Sequence, residues 1–167
     1  MAKTKSINSN VYKIISTVLI LASLLLCFLP VVKIGDKTLN LFNFFIYTFT
    51  GSFGTGDVGV YFDHFLILNQ SFKTLIIIMQ IISFLAIILT IVSLVFLILS
   101  IFKKNKYFKP IYNASWLVTT LLYILGIIMV YWFGNTLTYY TVTTLLFVPM
   151  LVSLLNVFVI IFEANNN

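Results

Sequence analysis

The chain has 167 residues, of which 61% are hydrophobic and 8% charged, with a net charge of +6. A soluble domain carries about 25% charged residues, so this composition excludes a water-soluble domain. It also excludes a nucleic-acid footprint, because the ten lysines flank apolar runs instead of gathering on one basic face. Lysine without any arginine, beside abundant Asn and Ile, fits an AT-rich genome and hence a low-GC bacterium.

The first uncharged run, about residues 14–32, follows Lys3, Lys5 and Lys13. A helix crosses a hydrocarbon layer of about 30 Å with roughly 20 apolar residues, which makes this run a predicted span. It differs from a cleaved signal peptide, since no small-x-small site follows it. Leu26 before Cys27 also departs from the small residue that a lipoprotein signal requires. A lone cysteine leaves no internal disulfide to form.

Between this span and the next lies a predicted external loop, residues 33–73. Val31 to Ile34 and Lys37 to Leu39 read as two short strands around the two-residue turn Gly35-Asp36. Next, Asn40, Asn43, Tyr47 and Thr50 recur at helical spacing opposite Phe42, Phe45, Ile46 and Phe49. The pattern predicts an amphipathic helix lying in the outer interface, with a strand as the alternative. Residues 51–59 are rich in glycine and read as a turn. They do not form a phosphate-binding loop, because no Gly-Lys-Ser/Thr follows.

Three further spans are predicted over about 74–102, 111–133 and 141–162. The second run exceeds a perpendicular crossing, so it tilts or projects to carry the external loop. Pro149 falls inside the fourth, where a proline removes a hydrogen bond and bends a helix. Seven of the ten lysines precede the first span or fill the connection between the second and third. By the positive-inside rule that side is cytoplasmic, and both termini with it. Tyr12, Tyr107, Tyr112 and Trp116 read as an inner aromatic belt, and Tyr131, Trp132, Tyr139 and Tyr140 as an outer one.

Small and hydroxyl-bearing residues recur at steps of three, four or seven within each span. Ser23 and Cys27 mark the first, Ser83, Thr90 and Ser93 the second, Gly126 the third, and Ser153 and Asn156 the fourth. In lipid such residues let helix backbones approach and bond across the contact, so these eight positions are the expected packing face. Gln80 and Asn156, the two amides at depth, read as interhelical hydrogen-bond donors and acceptors.

The expected fold is therefore an all-α integral membrane protein, one four-helix domain over residues 1–167 with both termini cytoplasmic. Four spans with the larger loop between the first two resemble the layout of claudin-like proteins. Claudins carry a Trp and a Cys pair in that loop, whereas Trp116, Trp132 and Cys27 lie in spans here. No function is carried over.

Chemistry has few candidates. Asp57, Asp63 and His64 are the external groups able to meet a metal, with solvated loop polar groups as the alternative. No carboxylate pair, Ser/His/Asp set or Cys-x-x-Cys occurs, so no catalytic, cofactor-binding or metal residues are assigned and the expectation is a non-enzyme. The spans lack the ionisable residue that coupled carriers need. The expected role is an accessory, scaffold or assembly partner of another membrane protein, with the lipid bilayer and such a protein, or a second copy, as partners. The external interaction surface is Phe42, Phe45, Ile46 and Phe49. An oligomeric pore, holin-like or transport-associated, is the alternative.

Overall fold

A computed structural model of the chain describes residues 9–34, 36–53, 70–103, 105–134, 140–142 and 147–166, with Val60, His64 and Leu145. The elements in order are α1 (Ser9–Leu26), β1 (Pro30–Ile34), β2 (Lys37–Asn40), α2 (Leu41–Thr50), α3 (Gln70–Phe102), α4 (Phe108–Gly134), β3 (Tyr140–Val142) and α5 (Phe147–Asn166). Three stretches, Lys73–Phe102, Phe108–Trp132 and Phe147–Asn165, are long and apolar enough to cross a membrane. The apolar part of α1, Asn10–Leu26, is shorter.

The helices are arranged inside out relative to a soluble bundle. On α1, Ile14, Val18, Leu21 and Leu25 are exposed, while Tyr12, Ser16 and Ser23 are buried. On α3, Ile81, Leu85, Ile88 and Val95 face outward and Ser83, Thr90 and Ser93 inward. Soluble monomers rarely expose contiguous apolar patches beyond a few hundred Å². Hydrocarbon removes that limit and leaves hydroxyls as the groups that must be sequestered. Among the four long helices, α1 packs on α3 and α5, and α4 packs on α3 and α5, while α2 lies against α3.

The two ends of this arrangement differ. At one, Lys13 on α1 donates to Ser100 O near the C-terminus of α3 (2.9 Å), where the free carbonyls of a helix end favour a cation. At the other sits a three-stranded antiparallel sheet in the order β2-β1-β3. The β1–β2 hairpin occupies the predicted strand positions, pairing Ile34 with Lys37 and Val32 with Leu39. β3 joins the opposite edge of β1, with Val32 opposite Val142 and Ile34 opposite Tyr140.

This sheet corrects the first and last predicted spans. Residues 14–32 were expected as one helix, but α1 ends at Leu26 and Pro30 opens a strand. Proline cannot continue a helix, and it restricts the residue before it to extended backbone. The fourth span was expected from residue 141, yet Thr141 and Val142 belong to β3 and α5 begins at Phe147. Pro149 therefore lies in the first turn of α5, where its missing N–H has no intrahelical partner to lose, and it starts the helix instead of kinking it.

α2 is a helix, not the alternative strand. Asn40 and Asn43 form a reciprocal capping box, Asn40 Oδ1 accepting from Asn43 N (2.8 Å) and Asn43 Oδ1 from Asn40 N (2.9 Å). Asn40 Nδ2 also donates to Phe28 O (3.2 Å) and Phe42 N to Cys27 O (3.2 Å), which ties the start of α2 to the end of α1. Gly51 ends the helix at φ 66°, donating its N–H to Tyr47 O (2.9 Å). A left-handed cap of this kind is the conformation glycine adopts without steric cost.

Gly126 lies in the α3–α4 contact, where a Cβ would already lie 3.4 Å from Ile82 Cγ2. Gly126→Leu should force the two helices apart and lower stability by about 1–3 kcal/mol. Leu125→Ile, on the exposed side of the same helix, should leave the midpoint of detergent-solubilised thermal unfolding nearly unchanged. Equal midpoints for the two variants would remove Gly126 from the packing interface.

Candidate functional site: a buried polar seam beneath an aromatic cap

The eight expected packing residues are all buried. Most of them belong to a seam of polar contacts along the helix interior. Ser93 Oγ meets Ser115 Oγ across the α3–α4 contact (2.7 Å). Both hydroxyls also lie within reach of carbonyls of their own helices, Leu89 O for Ser93 (2.8 Å) and Ile111 O for Ser115 (2.9 Å). Each hydroxyl has one proton, so one of the pair donates across the contact and the other along its helix.

The α4–α5 contact continues the seam as antiparallel rungs. Lys109 pairs with Glu163 (3.0 Å). One turn on, Asn156 Nδ2 donates to Tyr112 Oη (3.2 Å). The Trp116 indole N–H donates to Ser153 O (3.1 Å), and Thr120 Oγ1 bonds the Ser153 hydroxyl. Between α1 and α4, Tyr123 Oη lies 3.3 Å from Ser23 Oγ and 3.5 Å from Cys27 Sγ, and Cys27 Sγ is 3.4 Å from Ser23 O. Thr90 and Thr119 turn their hydroxyls onto carbonyls one turn back, Ala86 O (2.6 Å) and Ser115 O (2.9 Å). Ser83 Oγ is buried without a hydrogen-bond partner among the described residues, and nothing in the structure explains it.

Five members of the seam went unrecognised in the sequence. Tyr12, Tyr112 and Trp116 read as inner-belt aromatics in the sequence, yet all three are buried, and the polar atoms of Tyr112 and Trp116 find partners on α5. Thr120, Tyr123 and Glu163 were not singled out. Lys109, Tyr112, Trp116, Thr120 and Tyr123 recur every three or four residues, so the signal was the same helical spacing, masked by treating aromatics as boundary residues. Tyr107, Tyr131 and Trp132 are exposed, as boundary residues should be. Gln80 lines a shallow groove with Thr48, Ile81 and Phe84.

The cap above the seam comprises the sheet and α2. Leu41 and Phe44 are buried beneath α2 with Leu39, Val32, Leu75 and Met79. Of the four residues proposed as an interaction surface, Phe42 packs at a tilt against Phe28 (ring centroids 4.6 Å). Phe45 stacks on Phe84 of α3 (6.0 Å), and Phe49 lies beside the same ring (5.9 Å). Phe42 and Phe45 are thus partly spent inside the chain, whereas Ile46 and Phe49 are exposed. Asp57 and Asp63 lie outside the described residues, and His64 is exposed. No group of three His, Cys, Asp or Glu side chains occurs among the described residues.

The Lys109–Glu163 pair is asymmetric, with Glu163 nearly fully buried and the Lys109 side chain 37% exposed. Lys109→Met should therefore destabilise more than Glu163→Gln, because it removes the cation beside a buried carboxylate, whereas the second change releases a lysine that can turn to water. Thermal unfolding of both variants in the same detergent checks the order, and the reverse order would show that the carboxylate is solvated. No protein-family model, curated protein or solved structure matches the chain, so its function is read from its own residues.

Proposed function

We propose that the chain is a four-span cell-membrane protein with both termini cytoplasmic, acting as a non-enzymatic accessory or assembly partner of another membrane protein through its outer cap. α1 counts as a span in this reading because β1 completes its crossing. From Lys13 to Leu26 the helix rises only about 20 Å, and strand residues from Pro30 to Lys33 add up to about 10 Å. Strand backbone is tolerated at membrane depth only where protein satisfies it. Val31 and Val32 are buried, and β1 is the central strand, paired on both edges.

The observation that carries the accessory role is the exposed apolar edge of the cap. Phe28, Ile46 and Phe49 are 55%, 36% and 67% exposed. They sit on a platform already fixed by the capping box, the Gly51 cap and the Phe84 contacts. A surface ordered before contact loses little conformational entropy on binding, and simple contact with lipid requires no such ordering. The seam supports a non-enzyme, since its hydroxyls, amide and indole are engaged with one another instead of lining an open cavity.

A photo-crosslinking residue at Phe49 should capture a discrete second membrane protein in native membranes, and Ile46→Ser should reduce that yield severalfold. The same probe at Val18, on the exposed face of α1, should capture lipid alone. A crosslinked homodimer would replace the partner with a second copy, and lipid adducts at both positions would sink the accessory reading.

Orientation is tested separately in a Cys27→Ala background. Asp36→Cys should react with an impermeant thiol reagent in intact cells, and Lys106→Cys should react only after permeabilisation. Both positions are exposed, so access reports sidedness. Labelling of Lys106→Cys from outside would invert the topology drawn from the lysine asymmetry.

A further inference from the structure

The lysine end holds an open cleft of about 550 Å³ where the start of α1, the end of α3 and the start of α4 meet. Its walls include Lys13, Ser100, Lys103, Lys106, Lys109 and Asn113. We propose that this cleft binds a phosphate group carrying a neighbouring hydroxyl, presented by the head group of an anionic glycerophospholipid. The inference goes beyond the accessory role and rests only on the chain being membrane-embedded.

Three observations carry it. The first is uncompensated charge: of the four lysines, Lys109 has Glu163 as its carboxylate partner. Lys13 donates to the Ser100 carbonyl, which leaves its charge unneutralised. Lys106 Nζ lies 5.2 Å from the centre of the Tyr107 ring. Lys13, Lys103 and Lys106 have no carboxylate partner among the described residues. Lysine meets phosphate as a point charge, and basic pockets between membrane helices attract anionic head groups.

The second is an acceptor in want of a donor. Asn113 Oδ1 is a buried atom with no hydrogen-bond partner among the described residues. A phosphate oxygen only accepts, so it cannot satisfy Asn113; an alcohol on the same head group can. Asn113 lines the cleft but this oxygen is closed to solvent, so an alcohol that parts the side chains over it gains a bond that phosphate alone cannot make, which selects a phosphate ester with a hydroxyl nearby, as in a glycerol head group.

The third is position. Phe102 and Tyr107, both strongly exposed, flank the cleft in sequence, and the apolar outer face of α3 runs away from it through Ile98 and Val95. An exposed aromatic beside lysines marks the membrane boundary. A ligand with its phosphate in the cleft can then lay its acyl chains on that face. The cleft volume falls within the roughly 300–1,000 Å³ of small-molecule sites. A lysine cluster needed only to orient the chain requires neither a cavity nor an orphaned acceptor.

Native mass spectrometry of the intact chain in neutral detergent tests this with phosphatidylglycerol, phosphatidylmethanol and phosphatidylcholine as probes. Phosphatidylglycerol should bind most tightly. The double change Lys103→Gln and Lys106→Gln should weaken it by about thirtyfold, at roughly 1 kcal/mol per lysine, while Lys33→Gln with Lys37→Gln at the opposite end should leave it unchanged. Asn113→Leu keeps every charge and should abolish the preference for phosphatidylglycerol over phosphatidylmethanol, a loss of about fivefold. Excess glycerol 3-phosphate and inorganic phosphate form the soluble arm, and displacement of the lipid by either assigns the site to a free phosphate compound. Equal weakening by the two lysine pairs, or no preference for any anionic probe, overturns the proposal.

Discussion

Where a helix lies against hydrocarbon, a backbone N–H or C=O that leaves the helix has no water to turn to, and each such group costs several kcal/mol if it stays unpaired. Much of this structure answers that constraint. α1 stops at Leu26, short of a full crossing, and the backbone that follows is taken up by other parts of the chain. Cys27 O accepts from Phe42 N, Phe28 O from Asn40 Nδ2, and the strand itself from β2 and β3. β3 comes from the far end of the chain and closes the edge that the hairpin leaves open. The cap is thereby covalently local but structurally global, since the first helix depends on residues more than a hundred positions away.

The same constraint organises the interior. Hydroxyls on apolar helices are sequestered, and each has two ways to be satisfied: its own helix carbonyl one turn back, or a neighbour across the contact. Thr90 and Thr119 take the first route, while Thr120 with Ser153 and the Ser93–Ser115 pair combine the two. Interhelical bonds in membranes contribute only about 0.6 kcal/mol each on average, because the separated helix also satisfies its hydroxyls internally. The seam therefore specifies register more than it supplies stability. The antiparallel rungs from Lys109–Glu163 through Tyr112–Asn156 to Thr120–Ser153 admit one alignment of α4 on α5, and a one-turn slip would unpair several of them together.

Helical periodicity made much of this legible. The spacing of Ser83, Thr90 and Ser93 marks the inward face of α3, and Gly35-Asp36 between Val31-Val32-Lys33-Ile34 and Lys37-Thr38-Leu39 locates the hairpin. Two kinds of feature escaped. Aromatics have two homes in a membrane protein, the boundary and the core, and both place a polar atom near a partner. Sequence position alone assigned Tyr112 and Trp116 to the boundary; only the facing Asn156 and Ser153 reveal otherwise. β3 escaped because a tertiary partner creates it. Tyr140-Thr141-Val142 has the β-branched and aromatic character of a strand, but three residues form no strand until β1 offers an edge.

The interaction surface illustrates a different limit. An amphipathic pattern identifies which residues share a face, not how much of that face the chain itself consumes. Phe42 and Phe45 read the same as Ile46 and Phe49 in sequence, yet α3 places Phe84 where it stacks against Phe45 and rests beside Phe49. Phe84, fourteen positions into a long helix and against Phe45, and Phe28, just past the end of α1 and against Phe42, thus cover part of α2 and leave Ile46 and most of Phe49 open. Phe84 can do so because α3, at 33 residues and roughly 50 Å, outreaches α1 and gives α2 a wall to lie against. The excess length that looked in sequence like tilt or projection is what converts a connecting loop into a fixed platform with one open edge.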